Sequence, residues 1–573
     1  MALTPALHST EHLHAIVDMG SNGIRFSISS LQPPTQRIMP TLYQHRVGIS
    51  LYDAQYSQTG ERVPIDDKTI KAVATAFKQF QRTCEDFGVS QRNITVLATE
   101  ATRTAMNSVH FRAVIREGVG WEVTMLAKEE EGKVGAMGVA SSLPSLSGLV
   151  MDLGGGSTQL SWIVKDGASD GVRLPPSGAV SMPYGAAAMS RRLAEAEKCG
   201  TTARLREEVY AAVRAAYESL QVPEDLERAA TEAGGFTLYL SGGGFRGWGY
   251  VLMSQHRVQP YPIPVINGFR VSRNAFLEID QVKAAAADSL EHTGEGELFR
   301  ISERRAGQVP AVAFLVNVLA EALPQVKEVR FCQGGVREGH LFSFLPTEIK
   351  GELPLVVATR PFAKTDSSRI LVELLESAFP PGSTSGAADD YKSIFIPDLL
   401  EAFANLIYYH SSHSKDLQAS AALRSTTAGV LAGVHGITHE ARMLIALLLC
   451  ARWGGSIPPS DETFKRNLEQ LIESPWTLWW INYLGAVASL IAGIYPAGPL
   501  AGKERLRLKA EWDRDEKQHS LLRLQVGITG DVDGEIVRHE AKEVEKVGKR
   551  KRWIGGREGI GHRLSVEIHA VGS

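Results

Sequence analysis

The 573-residue chain is poor in cysteine and has no cysteine pattern. Cys84, Cys199, Cys332 and Cys450 lie far apart and form no CxxC or Cys/His ligand spacing. A disulfide framework and a zinc site are therefore not indicated, and the expected compartment is reducing, the cytoplasm. Net charge is also nearly missing: 61 Lys and Arg against 64 Asp and Glu leave -3, so no overall basic field points to nucleic acid. The opening MALTPALHSTEHLH lacks the basic and apolar regions of a secretory signal. No histidine is followed by aspartate, so the metal-binding signature of HD phosphohydrolases is absent, and His410, His413, His435 and His439 are expected to be structural. Charge is missing locally too, from Trp476 to Tyr495, a run long enough to span a bilayer. Asn482 and Ser489 interrupt it and Pro475 and Pro496 bracket it, so the expectation is the buried helix of an α domain with no membrane span.

Glycine is abundant, and its placement organises the chain. Val150 to Trp162, VMDLGGGSTQLSW, reads as strand, turn and strand. Gly154, Gly155 and Gly156 remove every Cβ from the turn, so its backbone amides can approach an oxyanion. Asp152, just before, is placed to hold a hydrated divalent cation against a phosphate. A hairpin turn alone would also use glycine. The pattern recurs, however. His14 to Leu31 carries Asp18 at a strand end and a turn of Gly20, Ser21, Asn22 and Gly23; Leu238 to Gly249 and Arg330 to Gly339 add two more clusters. Strands alternate with helices such as Asp66 to Phe87, capped by Asp66 and stopped by Gly88, which argues an α/β fold. Four such clusters at strand ends point to a nucleotide or polyphosphate cleft.

The segments DMGSNGIR, ATEATRTAMN, EEEGKVGAMGV, DLGGGSTQ, SGGG and GGVREG occur in the order and at about the spacings of the exopolyphosphatase/guanosine pentaphosphate phosphohydrolase (Ppx/GppA) family, which the chain resembles over roughly residues 12 to 345. The resemblance implies a two-lobed fold of the actin, hexokinase and heat-shock ATPase type, ribonuclease H-like in each lobe. The expected division is 1–125 and 126–348 for the lobes, 349–500 for a helical region and 501–573 for a small β-rich terminal module. It further implies a phosphate site of Gly20, Ser21, Asn22, Arg25, Arg103, Gly154, Gly155, Gly156, Ser157, Gly242 and Gly243. Asp18 and Asp152 would share Mg2+, and Glu131 would be the general base. Arginines 25 and 103 offer forked donors suited to phosphate oxygens. Glu129, Glu130 and Glu131 oppose one another's ionisation, a route to a raised pKa.

One position departs from the family pattern. Gln159 stands where the second loop ordinarily ends in glutamate; the amide keeps the reach and loses the charge, which weakens it as a cation ligand. The expected function is therefore a signalling regulator that binds polyphosphate or a nucleotide and reports to a protein partner. The alternative is an active Mg2+-dependent exopolyphosphatase or guanosine polyphosphate phosphohydrolase. A homodimer is compatible with either. The exposed run Lys549 to Arg552 is expected to be a solvated surface.

Overall fold

A computed structural model describes residues 9–57, 60–165, 171–291, 301–363, 367–381, 391–500, 502–514, 520–529 and 532–570. The first sheet is built from β1 (Leu13–Gly20), β2 (Gly23–Ser30), β3 (Thr41–Val47), β4 (Ile94–Ala98) and β5 (Val123–Met125), in the order β3-β2-β1-β4-β5. The first three strands meander antiparallel, and β4 and β5 run parallel to β1. β1 is the central strand, which explains its near-continuous apolar run Leu13, Ala15, Ile16, Val17: both of its faces are covered. The helix Asp67–Phe87 covers one face with Ile70, Val73, Phe77, Phe80 and Cys84. Asp66 accepts from the Thr69 N–H at its start, and Gly88, with φ of 71°, ends it.

The second sheet repeats this plan. Its strands β6 (Leu146–Leu153), β7 (Thr158–Lys165), β8 (Val180–Met182), β9 (Phe236–Ser241), β10 (Arg270–Ser272) and β11 (Val326–Phe331) lie in the order β10-β11-β9-β6-β7-β8. Without the edge strand β10, the sequence β8-β7-β6-β9-β11 matches the first sheet strand for strand, with the same antiparallel and parallel pairings. The two glycine turns therefore occupy equivalent places. Asp18 lies opposite Arg25 in the first hairpin, and Asp152 lies opposite Gln159 in the second. A shared layer including Ile16, Leu97, Val150, Ile163 and Tyr239 packs between the lobes.

Beyond the lobes the chain is helical until β12 (Leu506–Arg514), β13 (Ser520–Ile528) and β14 (Arg563–Ala570) form a three-stranded sheet. The parallel pair β13 and β14 needs a crossover, supplied by the helix Gly534–Val547, which the expectation of a β-rich module did not include. The apolar helix Pro475–Ile494 is long and apolar enough to cross a membrane, and 72% of its most apolar window is buried inside the protein. Trp479, Trp480 and Tyr483 on that helix share one core with Leu522, Leu524 and Val537 of the terminal sheet and its crossover. Arg550–Arg552 form a short exposed turn.

Candidate functional site

Each glycine loop is held by its carbonyls. Gly154 O accepts from the Ala186 N–H at 2.9 Å, Gly155 O from Ala187 at 2.9 Å and Ala188 at 3.1 Å, and Gly156 O from Gly185 at 3.1 Å. These donors are the free N–H groups at the start of the helix Ala186–Cys199. In a trans peptide the N–H points opposite to the carbonyl, so the amides of Gly155, Gly156 and Ser157 face away from that helix. The first loop is treated alike: Ser21 O accepts from the Tyr52 N–H at 3.0 Å and Asn22 O from Arg46 at 3.1 Å. Two amide-rich turns thus confront each other across the interlobe cleft.

That cleft is a cavity of about 100 Å³. Of the residues expected from the sequence, Asp18, Gly20, Ser21, Asn22, Arg25, Glu131, Asp152, Gly154, Gly155, Ser157, Gly242 and Gly243 line it together. Two do not. Gly156 faces a neighbouring groove with Tyr52 and Glu100, and Arg103 turns its guanidinium to Leu126 O and to Glu131, 3.2 Å away. Gly242, at the mouth of the helix Gly242–Ser254, has φ of 88°, and a Cβ there would lie 2.2 Å from Asp152 Oδ1. Only glycine permits that approach.

Sequence reasoning missed several charged groups. Arg46 and Arg246 line the cavity, and Arg304 reaches from the second lobe to Asn22 Oδ1, Ser50 Oγ and Asp53 Oδ2, each at 2.7 Å. Arg246 was legible in principle, since it follows Gly242 by four residues and so lies one helical turn behind it. Arg304 carried no local signal.

Burial raises all three carboxylates of the cleft. Burial raises the pKa of Asp18 against the pull of Arg25, Arg337 and Arg246, and raises that of Asp152 against Arg246 and Arg25. The nearest Arg25 nitrogen is 3.9 Å from Asp18, too far for a hydrogen bond. Glu131 is pushed up to about 7 by burial, against Arg103, with smaller contributions from Glu100 and Asp152. The direction expected from the glutamate triplet is found, but its cause is burial; Glu129 and Glu130 are not among the groups responsible. Burial also holds the Arg246 guanidinium down, to about 9. Gln159 donates through Nε2 to Ser157 Oγ at 2.8 Å and to Ser181 Oγ at 3.4 Å.

The raised pKa of Glu131 makes a stability prediction. The folded state holds this proton more tightly than the unfolded chain, so stability is lost as pH rises from about 4.5 to about 7. Glu131→Gln removes that loss. Relative to wild type it should be stabilised by on the order of 3 kcal/mol at pH 8 and be nearly neutral at pH 4.5. Thermal midpoints of both proteins across this range measure the difference; a gain independent of pH would assign it to packing.

Paired sheets of one topology, with an aspartate on the first strand of each and glycine turns meeting between them, define a two-lobed α/β fold with a small polar cleft between the lobes. The family model for the Ppx/GppA phosphatase family matches residues 30–348, more than half of the chain, and the model for the RTG2 C-terminal domain matches residues 353–571. The chain belongs to the Ppx/GppA phosphatase family. Within it, the chain is similar to retrograde regulation protein 2 of Saccharomyces cerevisiae, 39% identical over 498 residues that cover 85% of this chain and 82% of that protein. It is also 23% identical over 161 residues to a bifunctional 3-dehydroquinate synthase/phosphatase of Fusobacterium nucleatum, covering 26% of this chain and 23% of that one. Among solved structures, an Aquifex aeolicus Ppx/GppA family member aligns at 21% identity and a TM-score of 0.42, covering 58% of this chain and 96% of its own.

Proposed function

We propose that the chain is a regulator that binds a phosphorylated ligand, ATP, phosphate or polyphosphate, in the interlobe cleft and reports its occupancy to a protein partner, in mitochondria-to-nucleus retrograde control. The similarity to retrograde regulation protein 2 supports this reading. The observation that carries it is Gln159. The residue directly across from Asp152 offers the cleft no charge, and its amide is spent on Ser157. Ligand binding needs the amide turns and arginines; efficient hydrolysis needs a further positioned charge as well.

Asp18 and Asp152 fit a hydrated Mg2+. Both are buried carboxylates facing one small cavity, neither closely neutralised by arginine. Among the described residues no group of three or more His, Cys, Asp or Glu side chains is arranged to hold a metal, and Mg2+ is commonly held by one or two carboxylates with waters and phosphate oxygens completing its shell. When bound, the ion would neutralise charge on the phosphoryl group. The loop amides, Arg25 and Arg246 then orient that group and take up its remaining charge.

Slow hydrolysis is the second reading, favoured by the Glu131 pKa of about 7. Such a carboxylate, ionised in about half the molecules at neutral pH, can accept a proton from water as the water oxygen bonds the terminal phosphorus and the bridging P–O bond breaks. Phosphate release from long-chain polyphosphate with Mg2+ tests both readings. Wild type should be nearly silent, Gln159→Glu should gain about a hundredfold, the scale of one restored electrostatic group, and adding Glu131→Ala should abolish the gain. Wild-type turnover equal to that of Gln159→Glu would remove the ground for a regulator.

A further inference from the structure

The helix that carries Glu131 at its start, Lys128–Ser141, ends against the C-terminal region. There His435 Nε2 lies 2.7 Å from Ser141 Oγ. Ser141 has one hydroxyl proton, and it is donated to Gly138 O at 2.6 Å. With that proton so placed, the hydroxyl oxygen accepts and the His435 tautomer carrying its proton at Nε2 completes the bond. Burial keeps this imidazole neutral at physiological pH, its pKa held at about 4.

Gly138 is where this contact meets the cleft. Its carbonyl takes a second hydroxyl, Ser142 Oγ at 3.0 Å, and Ser142 Oγ in turn accepts the Gly334 N–H at 2.8 Å. Gly334 leads into Gly335, a cleft-lining residue at the start of the helix Val336–Phe344. Gly335 donates to Glu338 at 3.0 Å. Although burial pushes Glu338 up, Arg337, His435 and backbone N–H groups bring it down to about 2. His435 thus bonds the helix that carries Glu131 and lies close enough to Glu338, beside the Gly335 turn, to act on its charge. Its neighbours are wedged as firmly: Gly436, with φ of 92°, is pressed against Pro354 and Ser141 O, Thr438 lies against Gly268, and the His439 ring bonds Val265 O at 2.9 Å and the Tyr261 hydroxyl at 2.8 Å.

We propose that His435 is a positioning residue of the cleft: through Ser141 and Gly138 it sets the placement of the Glu131 helix and of the Gly335 turn, so that the C-terminal region and the cleft share one conformational equilibrium. A ligand that orders the cleft orders the segment His435 to His439, and whatever binds the C-terminal region alters the affinity of the cleft by the same factor. In its ligand arm the inference rests on the proposed phosphate cleft; in its structural arm it does not.

The test uses the full chain and two variants that cut the contact from opposite sides, His435→Ala and Ser141→Ala, with His435→Gln as a conservative replacement that keeps a side-chain N–H donor. In ligand-free protein, amide hydrogen exchange in residues 129–138 and 334–339 should speed up about five- to tenfold in both truncations, the scale of one lost hydrogen bond, and return toward wild type in His435→Gln. Exchange unchanged in both truncations, or equally fast in all three variants, overturns the proposal whether or not any ligand binds. The second arm adds tripolyphosphate with Mg2+. Wild type should bind it and slow exchange at residues 435–442, and the truncations should bind about fivefold more weakly. Binding without any change at 435–442 overturns the coupling. No binding by wild type, with the ligand-free effect present, rejects the phosphate reading and leaves the positioning role standing.

Discussion

Asp152→Ala should reverse the metal dependence of the cleft rather than simply abolish binding. With Mg2+ present, tripolyphosphate affinity is expected to fall about a hundredfold, the equivalent of about 2.7 kcal/mol, because one of the two carboxylates proposed for the ion is gone. Without Mg2+ the sign changes. Asp152 is a buried anion whose ionisation burial already disfavours, beside a cavity lined by Arg25, Arg46 and Arg246. Removing it leaves those arginines and the loop amides facing the phosphate with one fewer opposing carboxylate, so metal-free affinity should rise. Calorimetric titrations with and without the ion separate the two effects. If Asp152→Ala binds as wild type does under both conditions, the ligand does not occupy this cleft.

Gly339→Ala should be the most damaging single methyl in the second lobe. A Cβ at Gly339 would lie 1.8 Å from Val134 O and 2.7 Å from the Gly138 nitrogen. Both obstacles are backbone of the helix that carries Glu131, so no side chain can rotate out of the way. The two helices must separate, and overpacking of this kind costs about 3 kcal/mol or more. Gly118→Ala is the matched control. It too lies in a helix, but its new methyl would meet only the flexible Lys78 side chain, at 3.7 Å, and should be stabilising by about 0.5–1 kcal/mol. Thermal midpoints and soluble yields of both variants decide the matter: a Gly339→Ala protein as stable as wild type would show that the helices are not in backbone contact.

Much of this site could be read from the chain because its parts are local. Asp18 with Gly20 to Gly23, and Asp152 with Gly154 to Ser157, each sit on one hairpin, where strand alternation fixes which side chains share a face. Helix ends were equally legible: Asp66 accepts the Thr69 N–H at 2.8 Å, as its place before an apolar helical pattern suggests. The groups that were not seen act across long chain separations. Arg304 meets Asn22, and His435 meets Ser141, through pairings that depend on how lobes and domains dock and leave no periodic trace. The family resemblance implies Arg103 on the phosphate wall; the fold instead uses it to hold Glu131 and the Leu126 carbonyl. The raised pKa of Glu131 had the right sign for a local reason, yet its source is burial, a property of the assembled lobes.

The Arg304 bridge bears on time rather than on affinity. It ties the two lobes together through Asn22, Ser50 and Asp53 beside the cleft cavity. On the proposed reading a phosphate held between the lobes leaves as they part, and parting would break this bridge. Asp53 is 56% exposed, so salt screens the pairing and hastens the parting. On that reading the residence of a bound phosphate would follow the lifetime of a latch outside the pocket. A cleft gated in this way averages its ligand supply over the interval between openings, and brief fluctuations in that supply are filtered out.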